Sequence, residues 1–326
     1  MYKEPRDNRF NMSEPQPTIK TRILVISDTH GRDIIQCNES ADVAIHCGDL
    51  TRRSMLEEYE AAITLLKRIN APLKLVIAGN HDFTLDPPAY QDKIREAERL
   101  QIIDPRVIEL MHGTSAQVRE LFDHADVREE SGIRLLDEGT HHFTLNNGAS
   151  LTVYASPYTP CFGDWGFQYS SEGGHDFAIG DADVVMTHGP PRGILDDNTL
   201  SDKLAGCEHL FEKVARSRPL MHCFGHIHGG WGAKLVTWNE TQGEKPSHLA
   251  DIDHDKSTVI EDLASLKASG RRPYCLTGHS SDDANPLQHG TQTLFVNAAV
   301  ESSGPDDFPV HPAWLVDLDL PAQSQD

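Results

Sequence analysis

Several things are missing from this sequence. Its six cysteines (Cys37, Cys47, Cys161, Cys207, Cys223 and Cys275) form no C-x-x-C pair and follow no regular spacing. That argues against a disulfide framework and a Cys-type zinc site, and leaves reduced, mostly packed thiols as the expectation. No run of 18 apolar residues occurs, so no membrane-spanning helix is expected. The first 20 residues, MYKEPRDNRFNMSEPQPTIK, contain no apolar h-region of a signal peptide, and a cytoplasmic location is expected. Positive charge is scarce: Lys+Arg 29 against Asp+Glu 50 gives a net charge of -21. A field of that sign repels polyanions and disfavours long DNA or RNA as a partner. A small phosphate compound remains compatible, because bound divalent cations reverse the local potential. There are no heptads and no internal repeat, and nothing in the chain declares a protein partner.

What is present suits an α/β domain. The 326 residues are 38% hydrophobic, enough for a buried core. Residues 1–19 are polar, contain three prolines and read as a flexible leader. Residues 20–326 read as a single domain carrying a polar insertion at about 239–290. TRILVIS (21–27), DVAIHCGD (42–49) and LKLVIAGN (73–80) are short apolar runs rich in β-branched residues, each ending in a polar turn. Residues 54–69, 88–111, 115–122 and 200–217 carry helical spacing. IRLLD (133–137), HHFTLN (141–146) and SLTVYAS (150–156) suggest an antiparallel meander opening a second sheet. Residues 182–191, 219–230, 293–300 and 313–320 supply further strands. The insertion is acidic and poor in aromatics; it reads as a partly disordered surface stretch with one helix at 258–269.

Five strand-end turns concentrate ligand-type side chains: Asp28 with His30, Asp49 in GD, Asn80 with His81 and Asp82 in GNHD, His188 in THG, and His226 with His228 in GHIH. Residues two apart in an extended segment point to one side, so Asp28 and His30, or His226 and His228, can converge on one point. The seven positions Asp28, His30, Asp49, Asn80, His188, His226 and His228 supply two carboxylates, one amide oxygen and four imidazoles. That mixed set suits Mn, Fe or Zn more than Ca or Mg. A single D-x-H or GD arises easily by chance. Five such turns in this order, each following a strand, are a far more specific signal.

These motifs resemble the full set of the calcineurin-like metallophosphoesterases, over residues 21–238 and again over 293–320. The resemblance implies a four-layer αββα sandwich with two divalent metal ions at the strand ends. Asp28, His30, Asp49 and His228 would hold the first ion. Asp49, Asn80, His188 and His226 would hold the second, with Asp49 bridging. His81 would be the catalytic histidine and Asp82 its orienting partner. ISDTHGR, YASPYTPCFGDWGF, THGPPRGILD and FGHIHGGWG are similar to the metallophosphoesterase-domain-containing branch. That likeness implies hydrolysis of small phosphodiesters, cyclic nucleotides among them, by attack of a metal-bridging hydroxide. Some members of that branch carry Gly in place of the first His of the last motif; this chain keeps His226.

Arg32 can reach a phosphate oxygen, and Trp165 and Phe167 can line a substrate pocket, although a surface arginine and packed aromatics are ordinary alternatives. His46 reads equally as a donor behind a ligand or as packing. The competing functions are a protein serine/threonine phosphatase-like monoesterase and a metal-stabilised binding protein. GDLTRRS and AGNHD differ from the GDxxDRG and RGNHE turns usual in the phosphatases, and His81 is superfluous to a pure scaffold.

Overall fold

The computed structural model describes residues 17–33, 37–101, 104–197, 204–270, 272–302, 304 and 310–323. Most of the expected leader lies outside these residues. The strands of the first half are β1 (Thr18–Ile26), β2 (Val43–His46), β3 (Leu73–Val76), β4 (Ile133–Leu135), β5 (Gly139–Thr144), β6 (Ser150–Ser156), β7 (Thr159–Pro160) and β8 (Gln168–Tyr169). Those that follow are β9 (Val184–Thr187), β10 (Met221–Phe224), β11 (Gly232–Trp238), β12 (Ile252–Asp262), β13 (Tyr274–Gly278), β14 (Gln292–Asn297) and β15 (Ala313–Pro321). The α-helices are α1 (Leu56–Arg68), α2 (Pro87–Leu100), α3 (Pro105–His112), α4 (Ser115–Asp123), α5 (Glu208–Ser217) and α6 (Leu263–Ser269).

Among the described residues the strands form a separate parallel pair, β7-β8, and two mixed sheets, ordered β13-β15-β1-β2-β3-β4 and β12-β11-β14-β10-β9-β6-β5. Their central strands are apolar on both faces because both faces are covered. Ile23, Val25, Ile45 and Leu75 of the first sheet share one core with Val153, Val184, Met221 and Leu294 of the second. On the outer side of the first sheet, Leu24, Ile26 and Val76 pack on Tyr59, Ile63 and Leu66 of α1 and Phe122 of α4. On the outer side of the second, Val185, Phe224 and Phe295 meet Leu210, Phe211 and Val214 of α5. This is the four-layer αββα sandwich expected from the sequence. The six cysteines are free thiols, with only Cys161 exposed. Among the described residues no helix is long and apolar enough to cross a membrane.

Three expectations are corrected. The stretch 88–111 is two helices, because Gln101 turns left-handed (φ 52) and α3 restarts at Pro105 behind Asp104, whose carboxylate caps the Arg106 amide at 2.9 Å. β4 does not open a second-sheet meander; it pairs in parallel with β3 and ends the first sheet, while β5 and β6 form the antiparallel pair. Helix α5 begins at Glu208 rather than 200, and residues 200–203 lie outside the described residues.

The insertion is the largest departure. β12 pairs antiparallel with β11 at the edge of the second sheet, and β13 pairs in parallel with β15 at the edge of the first. The helix expected at 258–269 is α6 alone; its first residues belong to β12. Leu266 of α6 reaches the core between the sheets. A stretch that reads as a surface loop therefore supplies an edge strand to each sheet.

Candidate metal centre

β1, β2 and β3 run parallel in one sheet, and β9 and β10 run parallel in the other. Their carboxyl-end turns are laced together by backbone bonds. Asp28 N–H donates to Gly48 O and His30 N–H to Asp49 O, both at 3.0 Å, and Gly225 N–H donates to His188 O at 2.9 Å. The two sheets are joined at this end by His226 N–H, which donates to both Asp28 carboxylate oxygens at 3.1 and 3.0 Å. Glycine is required where the turns touch. A Cβ on Gly79 would lie 2.3 Å from Asp49 Oδ1, and one on Gly225 would lie 2.0 Å from Asp28 Oδ2. Asp28 (φ 58), His30 (φ 49), Asp49 (φ 54) and His226 (φ 65) adopt left-handed backbone. Such residues each cost roughly 1–3 kcal/mol and persist only where their surroundings hold them. Four of the seven expected ligand positions carry this strain.

The histidines are aimed by backbone carbonyls. A carbonyl only accepts, so each imidazole nitrogen facing one carries the proton. His188 Nδ1–H donates to Cys47 O (2.9 Å), His30 Nδ1–H to Thr51 O (3.0 Å) and His81 Nδ1–H to Arg52 O (2.7 Å). All three acceptors belong to the turn after β2, and in all three rings Nε2 is left for the interior. There the ligand-type atoms converge: His188 Nε2 is 2.9 Å from Asn80 Oδ1 and 3.4 Å from Asp49 Oδ1, and His228 Nε2 is 3.4 Å from Asp28 Oδ1. Three groups of side chains can each hold an ion: Asp28–His30–His228, His30–Asp49–His81 and Asp49–His188–His226. Asp49 is common to two of them. Imidazole nitrogens, carboxylate oxygens and an amide oxygen brought this close are a donor set that divalent metals take, so the residues present fit divalent metals.

The buried carboxylates make the same demand for positive charge. Burial opposes ionisation of Asp28 and Asp49, yet His228 and His188 hold Asp28 below the ordinary carboxylate range, and His188 and His30 hold Asp49 well below it. Against its own burial, the Asp49 carboxylate lifts His188 to about 9. Burial and the neighbouring His188 push His226 down to about 3.

All seven expected ligands are thus brought together, with His81 beside them. Asp82 does not orient His81. It is fully buried, and its carboxylate accepts from Gly79 N (2.8 Å), Leu50 N (3.0 Å), Thr51 N (2.9 Å) and Thr51 Oγ1 (2.7 Å). It ties the turn after β2 to the turn after β3. His81 is oriented instead by the Arg52 carbonyl and by Trp165, whose ring lies 3.9 Å from the imidazole centroid to centroid, tilted by 30°. Phe167 turns away from the centre: it is buried against Tyr158, with ring centroids 5.8 Å apart. Arg32 stands at the rim, 45% exposed, its guanidinium 3.5 Å from Glu301.

Sequence reasoning missed Glu301, Thr51 and Arg52. Glu301 follows β14 and is the acidic residue of a sixth strand-end turn, which was its available signal. Thr51 and Arg52 act through backbone carbonyls, which no side-chain motif reveals. His46 and His222 form a matched pair beneath the turns. His46 Nε2 meets Thr29 Oγ1 at 2.9 Å and His222 Nε2 meets Thr187 Oγ1 at 2.8 Å, and each ring's Nδ1 is buried without a hydrogen-bond partner.

A family model described as calcineurin-like phosphoesterase matches residues 21–230, which contain every one of the seven ligand positions and His81. The chain belongs to the calcineurin-like phosphoesterase family. Members are metal-dependent phosphoric ester hydrolases. Metallophosphoesterase domain-containing protein 1 of Homo sapiens is 32% identical over 225 residues, covering 67% of this chain and 64% of that one. Probable rhamnogalacturonate lyase C of Emericella nidulans is 33% identical over 225 residues, covering 68% of this chain but 18% of that protein. The chain therefore spans less than two thirds of the length of these relatives. Among solved structures, a phosphopantetheinyl hydrolase from Mycobacterium tuberculosis aligns over 69% of this chain and 86% of that one, with TM-score 0.38 and 15% identity.

Proposed function

We propose that this phosphoesterase holds two divalent cations, Mn, Fe or Zn, and hydrolyses small phosphodiesters such as cyclic nucleotides. The observation that carries the reading is the convergence of Asp28, His30, Asp49, Asn80, His188, His226 and His228 at one point, with Asp49 common to two clusters. When bound to these residues, divalent cations would supply a water of lowered pKa and neutralise charge gathering on the phosphoryl oxygens. The protein's own part is orientation and proton transfer. His81, with Nδ1–H fixed on the Arg52 carbonyl and its face covered by Trp165, presents Nε2 toward the same space. A doubly protonated His81 keeps its bond to Arg52 O and has a proton on Nε2 to give to the departing alkoxide.

Preference for a diester over a monoester is supported by the rim. Arg32 and Arg52 are both engaged by the Glu301 carboxylate, which leaves less free positive charge for the second negative charge of a monoester. The test is hydrolysis of bis(4-nitrophenyl) phosphate and 4-nitrophenyl phosphate by metal-stripped protein refilled with Mn²⁺. Metal-dependent cleavage of the diester is expected. Preference for the monoester would replace the reading by a phosphatase, and absence of turnover with two ions bound would replace it by a binding protein.

A further inference from the structure

We propose that Glu301 is an additional ligand of the first cation, beyond Asp28, His30, Asp49 and His228; the assignment rests on the two-cation reading above. Its backbone is fixed against the end of β1. Ala299 forms a parallel bridge with Ser27, Val300 N–H donates to Ser27 O at 3.0 Å, and Glu301 bridges Val310. Ser27 immediately precedes Asp28, so the carboxylate is delivered to the centre by the same strand end that delivers the first ligand.

The two oxygens of Glu301 have different surroundings. Oε1 accepts from Arg52 and lies 3.5 Å from Arg32 Nη1. Oε2 is buried, has no hydrogen-bond partner, and lies 3.3 Å from His30 Nε2. Because His30 Nδ1–H is committed to Thr51 O, Nε2 offers a lone pair to this anionic oxygen. Two acceptors face each other with no proton between them. A salt bridge to the arginines accounts for Oε1 and leaves Oε2 unexplained; a cation shared by Oε2 and His30 Nε2 accounts for both. The spacing agrees. Ligand atoms about 2.1 Å from one ion, at tetrahedral to octahedral angles, are about 3.0–3.4 Å apart. The His228 Nε2 to Asp28 Oδ1 separation of 3.4 Å falls at the same value. With Asp28 and Asp49, Glu301 gives the first position three carboxylates, a set that favours Mn²⁺ over softer ions.

Metal-stripped wild type, Glu301→Gln and Glu301→Ala would be titrated with Mn²⁺ by calorimetry, with the bound ions followed by electron paramagnetic resonance. Two binding steps are expected in the wild type. In both variants one step should weaken by about tenfold or more, the scale at which even outer partners of metal ligands act, while the other stays within about twofold. Glu301→Gln preserves shape, so a thermal melt separates a lost ligand from a lost fold. Unchanged steps in both variants, or equal weakening of both steps with a lowered melting temperature, overturn the assignment alone. A wild type that binds no Mn²⁺ overturns the two-cation reading beneath it as well.

Discussion

The two halves of the centre differ in charge more than in burial. The first half is made by Asp28, His30 and His228, lies under Glu301 and the two rim arginines, and is built around carboxylates. The second half is made by Asn80, His188 and His226, and apart from the shared Asp49 it holds no carboxylate. Its two facing rings, 4.9 Å apart, are driven in opposite directions, His188 up and His226 down. On the two-cation proposal the first half would therefore select an ion mainly by charge, and the second mainly by the direction of its imidazoles, which the Cys47 carbonyl fixes at His188. The difference teaches that the bridging Asp49 is the point at which the two kinds of selection meet.

Breaking that point should have the largest effect. Asp49→Asn is expected to abolish ordered binding of both ions and to lower diester hydrolysis by roughly a thousandfold or more, the scale of several kcal/mol of lost charge stabilisation. Elemental analysis beside steady-state kinetics checks it, and retention of two tightly held ions would dissolve the distinction between the halves. His81→Ala leaves both halves intact and removes the proton donor. Here kcat should fall by about 10²–10⁴ with metal content unchanged; a fall in metal content would make His81 a ligand instead.

Asp82 belongs to neither half and holds the turns that carry both. Asp82→Ala leaves three backbone amides and a hydroxyl without their acceptor, and should cost about 3 kcal/mol or more in urea unfolding of the metal-free protein. A loss below about 1 kcal/mol would show that the turns hold without it. The smallest effect compares the buried histidines under each half. Burial depresses His46 to about 4 and His222 to about 3, from an unfolded value of about 6.5. The unfolded chain therefore takes up protons first, and each ring's contribution to stability declines as pH falls from about 6.5 toward its folded value. The metal-free wild type should lose more stability between pH 7 and pH 5 than His222→Gln does, in parallel urea titrations. Equal losses would mean that His222 carries its proton in the folded state.

Much of this centre was legible because its chemistry is local. D-x-H and H-x-H stand just past strand ends, where left-handed backbone at Asp28, His30 and His226 rather than the alternation of extended chain aims the side chains; the glycines beside them announce close approach, and residue type with position after a strand brings out the seven ligands. Asp82 was misread because its acceptors' partners are main-chain amides of another turn, which leave no pattern in side chains. Glu301 lies far along the chain from Asp28 and is brought beside it by the Ser27–Ala299 bridge and the Val300 to Ser27 bond. β12 was illegible for a different reason. As an edge strand whose pairing with β11 shifts register between Ala233 and Lys234 and again between Leu235 and Thr237, it shows no clean alternation of buried and exposed residues.

The φ of 65° at His226 bears on how such a centre can change over time. A left-handed backbone there prefers glycine to histidine by about 1 kcal/mol. Exchanging the imidazole for a hydrogen would thus ease the scaffold while stripping an arm from the second ion. The architecture sets no barrier between a two-ion and a one-ion centre, and a single codon can move the chain in either direction. The imidazole at this position is held against the backbone's own preference.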